Sequence, residues 1–150
     1  MMKNLGSVHR IAAITAFVLI ASFFSASLMS ELFAGQQTVV VVKQLIGDAV
    51  WILLLLMAVT GSTGTKLAPG VHSGHGPLGQ KKQRMPIVAA NGIIVLLPSA
   101  LYLSHLAALG QFDRSFYWVQ SIELTAGAVN LTLMGLNIRD ARRFRKGGSV

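Results

Sequence analysis

Residues 116–138 read FYWVQSIELTAGAVNLTLMGLNI. As a helix it is long enough to cross a bilayer, yet it carries Gln120, Glu123, Asn130 and Asn137. Glu123, Asn130 and Asn137 recur every seven residues and Gln120 stands one turn earlier, so on a helix the four form a single polar stripe. Val119, Ile122, Leu124, Val129, Leu131, Leu133 and Leu136 fill the rest of the circumference. Such a helix cannot turn its stripe to lipid. The stripe has to face other helices, a partner or a water-filled path, and the upstream chain reads as the helices that cover it.

The composition agrees. The chain has 150 residues, 53% hydrophobic and only 12% charged, with a mean hydropathy of +0.60, whereas soluble domains carry about 25% charged residues. This points to an integral membrane protein forming one transmembrane domain, with no room for a separate soluble one. The absence of cysteine excludes disulfides, cysteine metal sites and thiol catalysis.

Three more apolar stretches, 11–33, 39–60 and 87–109, complete an expected all-α, four-helix membrane bundle. Residues 1–10 form a short basic leader, and Ser25, Ala26 and Ser27 suggest a signal-peptide cleavage site. The apolar run continues to Leu32 and Phe33, however, so a retained first helix is expected. Its small residues Ala21, Ser22, Ser25, Ala26 and Ser30 permit close helix packing. Segment 61–85, rich in glycine and basic residues, reads as a flexible loop, with Pro86 in the first turn of the third span. Pro98 should kink that span and free the carbonyl of Ile94. Residues 139–150 form a basic tail.

Of the 13 lysines and arginines, all but Lys43 and Arg114 precede the first span, lie between the second and third, or follow the fourth. By the positive-inside rule both termini and loop 61–85 are cytoplasmic, in a membrane of the bacterial inner (plasma) type. Arg139, Arg142, Arg143, Arg145 and Lys146, directly after a span, suit anionic lipid headgroups. This placement, and not the net charge of +8, sets the partner class, so nucleic acid is not expected. Asp140 and Arg143 are spaced to pair if the last helix continues.

Polar residues inside the spans are the candidate site. The short turn 34–38 brings Glu31 and Lys43 together, and an interfacial ion pair is expected there. Glu123 and Asp48 lie deeper, at ~11 Å and ~15 Å from the outer ends by helical rise. Gln44, Asp48, Trp51 and Leu55 share one helical face, as do Asn91, Pro98 and His105. If these faces turn inward, Asp48, His105, Gln120, Glu123 and Asn130 form an intramembrane polar cluster. Such a cluster either holds the helices in register or handles protons or cations.

Other motifs carry less. The stretch GSTGTK at 61–66 lacks the spacing of a phosphate loop and follows a helix. His72 and His75, in the glycine-rich segment on the same side of the membrane as His9, are weak metal candidates, so no metal is expected. No cofactor is expected either. His105 alone lies well inside a span, so a bis-histidine haem needs a second copy, and a haem or quinone beside His105 stays an alternative. Ser104 and His105, adjacent on a helix, point about 100° apart and do not suit a nucleophile–base pair.

Four short spans with minimal loops leave little volume for a substrate. The leading expectation is therefore a non-enzymatic accessory or assembly subunit, partnered by the lipid bilayer and by another membrane protein or a second copy. The alternatives are a proton-coupled carrier or channel using the acid cluster, and a redox or lipid-modifying enzyme with quinone or haem near His105.

Overall fold

In a computed structural model, which describes residues 2–67 and 76–147, the chain is all-helical, with no strand among the described residues. Of residues 2, 3, 77, 78 and 144–147 the backbone alone is described. The elements are α1 (Met2–Phe33), α2 (Gln36–Leu67), α3 (Gly76–Asn91), a π-helical turn (Gly92–Leu96), α4 (Leu97–Ala108) and α5 (Arg114–Gly147). Because α3, the π turn and α4 run on without a break, the chain makes four rods. Three of them, α1, α2 and the composite rod, are long and apolar enough to cross a membrane. The fourth, α5, has 34 residues and so is about 51 Å long at the helical rise.

Two tight connections define one end of the bundle, here the turn end. The N–H groups of Thr38 and Val39 donate to the Gly35 carbonyl, starting α2 two residues after α1 stops. After α4, Gly110 adopts φ 66°, a left-handed conformation open to glycine at little cost. Its N–H donates to Ala107 O and that of Gln111 to Leu106 O, the paired pattern of a Schellman stop. Asp113 Oδ1 then accepts from the Phe116 N–H at 3.0 Å and caps α5. The opposite, basic end carries Lys81, Lys82, Arg84 and Arg139.

Helix α1 packs along α2, α2 along α4, and α5 along α3 and α1. Apolar layers hold these seams: Val39, Leu103, Leu106, Ala107 and Phe116 near the turn end, and Ala16, Ile20 and Leu53 farther in. Ile46, Val50 and Ala100 form a third layer between α2 and α4. Gly47 permits the closest approach, since a Cβ there would lie 2.7 Å from Ser104 Oγ. The exposed circumference is also apolar, with Ile11, Leu45, Ile52, Leu55, Ile94 and Trp118 pointing outward. Several hydroxyls on that surface bond their own helix: Ser22 donates to Val18 O, Ser121 to Tyr117 O and Thr132 to Ala128 O.

The helices outrun their apolar cores, which corrects the reading of 61–85 as a loop. α2 continues through residues 61–67, α3 already begins at Gly76, and Pro86 sits well inside α3 and not in its first turn. Packing explains the extension of α2: His9 of α1 bonds Thr60 and Thr63, and its ring lies against Gly64. The tail is helical through Gly147. Pro98 has no N–H for the Ile94 carbonyl, and the chain meets this with a π turn directly upstream, where the Leu97 N–H reaches five residues back to Gly92 O.

Candidate functional site

The polar stripe of α5 is buried along its whole length. Gln120, Glu123, Asn130 and Asn137 all face inward, and Asp140 extends the line by one more turn. Each level has partners on a different helix. At the turn-end level, Lys43 of α2 is fully buried and donates to Glu123 Oε2 at 2.6 Å and to Ser27 Oγ of α1 at 2.8 Å. Glu31, one turn after Ser27, is half-buried. Its Oε1 and both amide atoms of Gln120 are buried without a hydrogen-bond partner. A cavity of about 40 Å³ lies against this centre, lined by Ser27 and Glu123 and by apolar groups including Ile20, Val50 and Gly127. That is room for only a few waters.

Midway along α5, Asn130 Oδ1 accepts from Asn91 Nδ2 at 2.8 Å, and Asn130 Nδ2 donates to the Val88 carbonyl at 3.3 Å. Asn91 Nδ2 also reaches the Ala126 carbonyl at 2.9 Å, so this pair ties α3 to α5 beside the π turn. At the basic end Asn137 Nδ2 contacts Met85 Sδ. Asp140 accepts from Arg84 at 2.7 Å and from Arg139 at 3.2 Å, and Arg84 also donates to Gln80.

The Arg84 hydrogen bond, aided by Arg139, holds the Asp140 carboxyl below the usual carboxylate range. A carboxylate lowered in the folded state stabilises the fold above its unfolded pKa, about 3.9, and that contribution disappears as pH falls through the folded value. The unfolding midpoint of the wild type is thus expected to drop on acidification below about pH 4. In Asp140→Asn part of that drop should be missing, as thermal scans in lipid micelles across pH would show.

Several expected neighbours are placed elsewhere. Lys43 bonds Glu123, and no hydrogen bond joins it to Glu31, although Glu31 lies within electrostatic reach of both. The cause is depth: Lys43 is wholly buried in the seam between helices and does not reach for the surface. Asp48 and His105 are both exposed and do not join the cluster. The inward face of α2 is Lys43, Ile46, Gly47, Val50 and Leu53, which leaves Gln44, Asp48, Trp51 and Leu55 outside. On the composite rod the π turn inserts about one extra residue, so a seven-residue repeat does not carry across it. Asn91, before it, faces α5, whereas Pro98 and His105, after it, face out.

Asp140 pairs with Arg84 and not with Arg143, which is exposed like Arg142. The side chains of Arg145 and Lys146, and all of His72 and His75, lie outside the described residues. Among the described residues no three His, Asp or Glu side chains converge as metal ligands. Ser27 and Arg84 were not singled out as partners, though a buried lysine and a buried acid on a helix signal that some donor and acceptor must meet them. No family model, curated protein or solved structure matches the chain.

Proposed function

We propose that the chain is a four-span membrane protein, with its basic end in the cytoplasm, that serves as an interaction subunit of a membrane complex and docks through the outward face of α2. The observation that carries this reading is Asp48. It is exposed beside Trp51, Ile52 and Leu55, about 18 Å along α2 from its first residue at the helical rise. Facing lipid at that depth, an ionised aspartate costs at least roughly 2.5–3.5 kcal/mol. Its neighbour Gln44 is exposed one turn away, and neither residue has the backbone escape open to the surface serines and threonines.

A partner helix supplying a lysine, arginine or carboxamide opposite Asp48 removes that cost. A second copy serves less well. All copies thread the bilayer in one direction, so a twofold axis along the membrane normal places Asp48 against Asp48 and opposes like charges. Exposed Tyr102, Tyr117 and Trp118 near the turn end suit one membrane interface, and the basic residues suit the other.

The test is a photo-reactive residue at Leu55, on the same face, used in native membranes. A single heterologous polypeptide should crosslink there and co-purify stoichiometrically. Asp48→Leu should weaken that association roughly 3- to 20-fold, the range for an interhelical polar contact, and Asp48→Asn should restore part of it. Crosslinks to lipid alone or to a second copy, or indifference to Asp48→Leu, would overturn the reading.

A further inference from the structure

Antiparallel packing of α1 and α5 sets which residues meet. Phe24 lies against Gly127, where a Cβ would be 3.3 Å from its ring, and Ala16 and Ile20 pack with Leu131 and Met134. Residue numbers rise on one helix as they fall on the other. Continuing this register toward the turn end brings Ser27 to the level of Glu123 and Glu31 to the level of Gln120. The Lys43 bonds to Ser27 and Glu123 agree with the first of these.

Glu31 and Gln120 therefore stand at one level of the seam, and between them they hold three of the buried polar atoms without partners. Gln120 is 4% exposed, so its amide is shielded from bulk water. The amide offers one donor atom, Nε2 with its two N–H bonds, and one acceptor atom, Oε1. An ionised carboxylate only accepts, so it can satisfy Nε2 and leaves the amide oxygen unmet. A neutral carboxylic acid both donates and accepts, and two antiparallel hydrogen bonds with the amide satisfy all three atoms at once.

Charge counting gives the same answer. The centre holds two carboxylates, Glu31 and Glu123, and one ammonium, Lys43, which is bonded to Glu123. On α4 the titratable side chains Tyr102 and His105 face outward, and Asp113 and Arg114 before and at the start of α5 are exposed. No second cation among the described residues offsets Glu31. One positive charge is still needed to neutralise the centre.

We propose that Glu31 and Gln120 form a proton-binding site opening to the turn end, in which the bound proton keeps Lys43 on Glu123. The proton comes from water at the end of α1, where Glu31 stands two residues before the last helical residue, Phe33. One O–H bond forms on the Glu31 carboxyl, and no other group changes charge. When the proton leaves, Glu31 becomes a second anion competing with Glu123 for Lys43. The site thus converts proton occupancy into the choice of partner for one buried lysine. It is separate from the Asp48 face, so either proposal can fail without the other.

Infrared spectroscopy of the full chain in lipid bilayers reads the site directly. At neutral pH the wild type should show the carbonyl stretch of a protonated carboxyl group that shifts in D2O. Glu31→Gln should fold, because an amide facing Gln120 preserves both hydrogen bonds, and should lack that band. Gln120→Leu should shift the band or abolish it. Glu123→Gln should also abolish it, because Lys43 is freed to pair with an ionised Glu31, and the double variant Lys43→Met/Glu123→Gln should bring it back. A wild type without the band, or a band that persists in Glu31→Gln, overturns the proposal, the second outcome assigning the proton to another carboxyl such as Asp48.

Discussion

Lys43→Met is expected to destabilise the protein by about 3–5 kcal/mol, the cost of breaking a buried ion pair from one side. The lysine is wholly buried, and its ammonium is the partner found for Glu123 Oε2 and for the Ser27 hydroxyl. Its removal leaves Glu123 beside Glu31 with no cation between them. The penalty belongs to the stranded charge and not to a large net value of the pair. Lys43→Met combined with Glu123→Leu should therefore recover most of the loss, since buried pairs replaced by apolar groups of similar size are often neutral or better. A double-mutant cycle of reversible unfolding in mixed micelles measures both effects. A single variant within about 1 kcal/mol of the wild type would mean that water or a second ion already compensates Glu123.

Gly47→Ala should cost about 1–3 kcal/mol, the usual range for overpacking a tight interface. A Cβ at this position would lie 2.7 Å from Ser104 Oγ and 2.8 Å from Ser104 Cβ, and the second atom is fixed to the α4 backbone. α2 and α4 would have to separate, loosening the layer of Ile46, Val50 and Ala100 that rests on their contact. Ser104→Gly in the same chain should restore stability, whereas Ser104→Gly alone should change little. Gly92→Ala is the contrasting case. There the added Cβ meets the Met57 Sδ and Cε atoms, the end of a flexible side chain that can swing aside. Unfolding midpoints of these variants should rank Gly47→Ala well below Gly92→Ala.

The polar stripe of α5 was legible because seven-residue spacing needs only helical geometry, and all four members are buried. The inward face of α2 was not legible in the same way. In a bilayer the hydrophobic signal that separates inside from outside is lost, since lipid is as apolar as a core. Gln44, Asp48, Trp51 and Leu55 form as regular a line as Lys43, Ile46, Gly47 and Val50. Gly47, as a small residue, was the better marker of the contact face. Pro98 announced an irregularity, but only the π turn revealed that Asn91 and His105 part company across it. Glycines and basic residues suggested a loop over 61–85, yet the His9 contacts hold α2 in helix well past its apolar run.

The polar column along α5 also bears on how the protein is made. Among the described residues, the side-chain partners that α5 uses across the bundle, Ser27 through Lys43, then Lys43 itself, Met85 and Asn91, with Arg84, all precede it in the chain. During synthesis the last helix therefore leaves the ribosome after its binding surface has emerged. Alone it is the poorest candidate to enter a bilayer, since the three apolar rods all lie upstream. On the proposed four-span topology its insertion becomes favourable as a docking event onto helices already in place, and a chain truncated before Arg114 would lack Glu123, the carboxylate that Lys43 bonds.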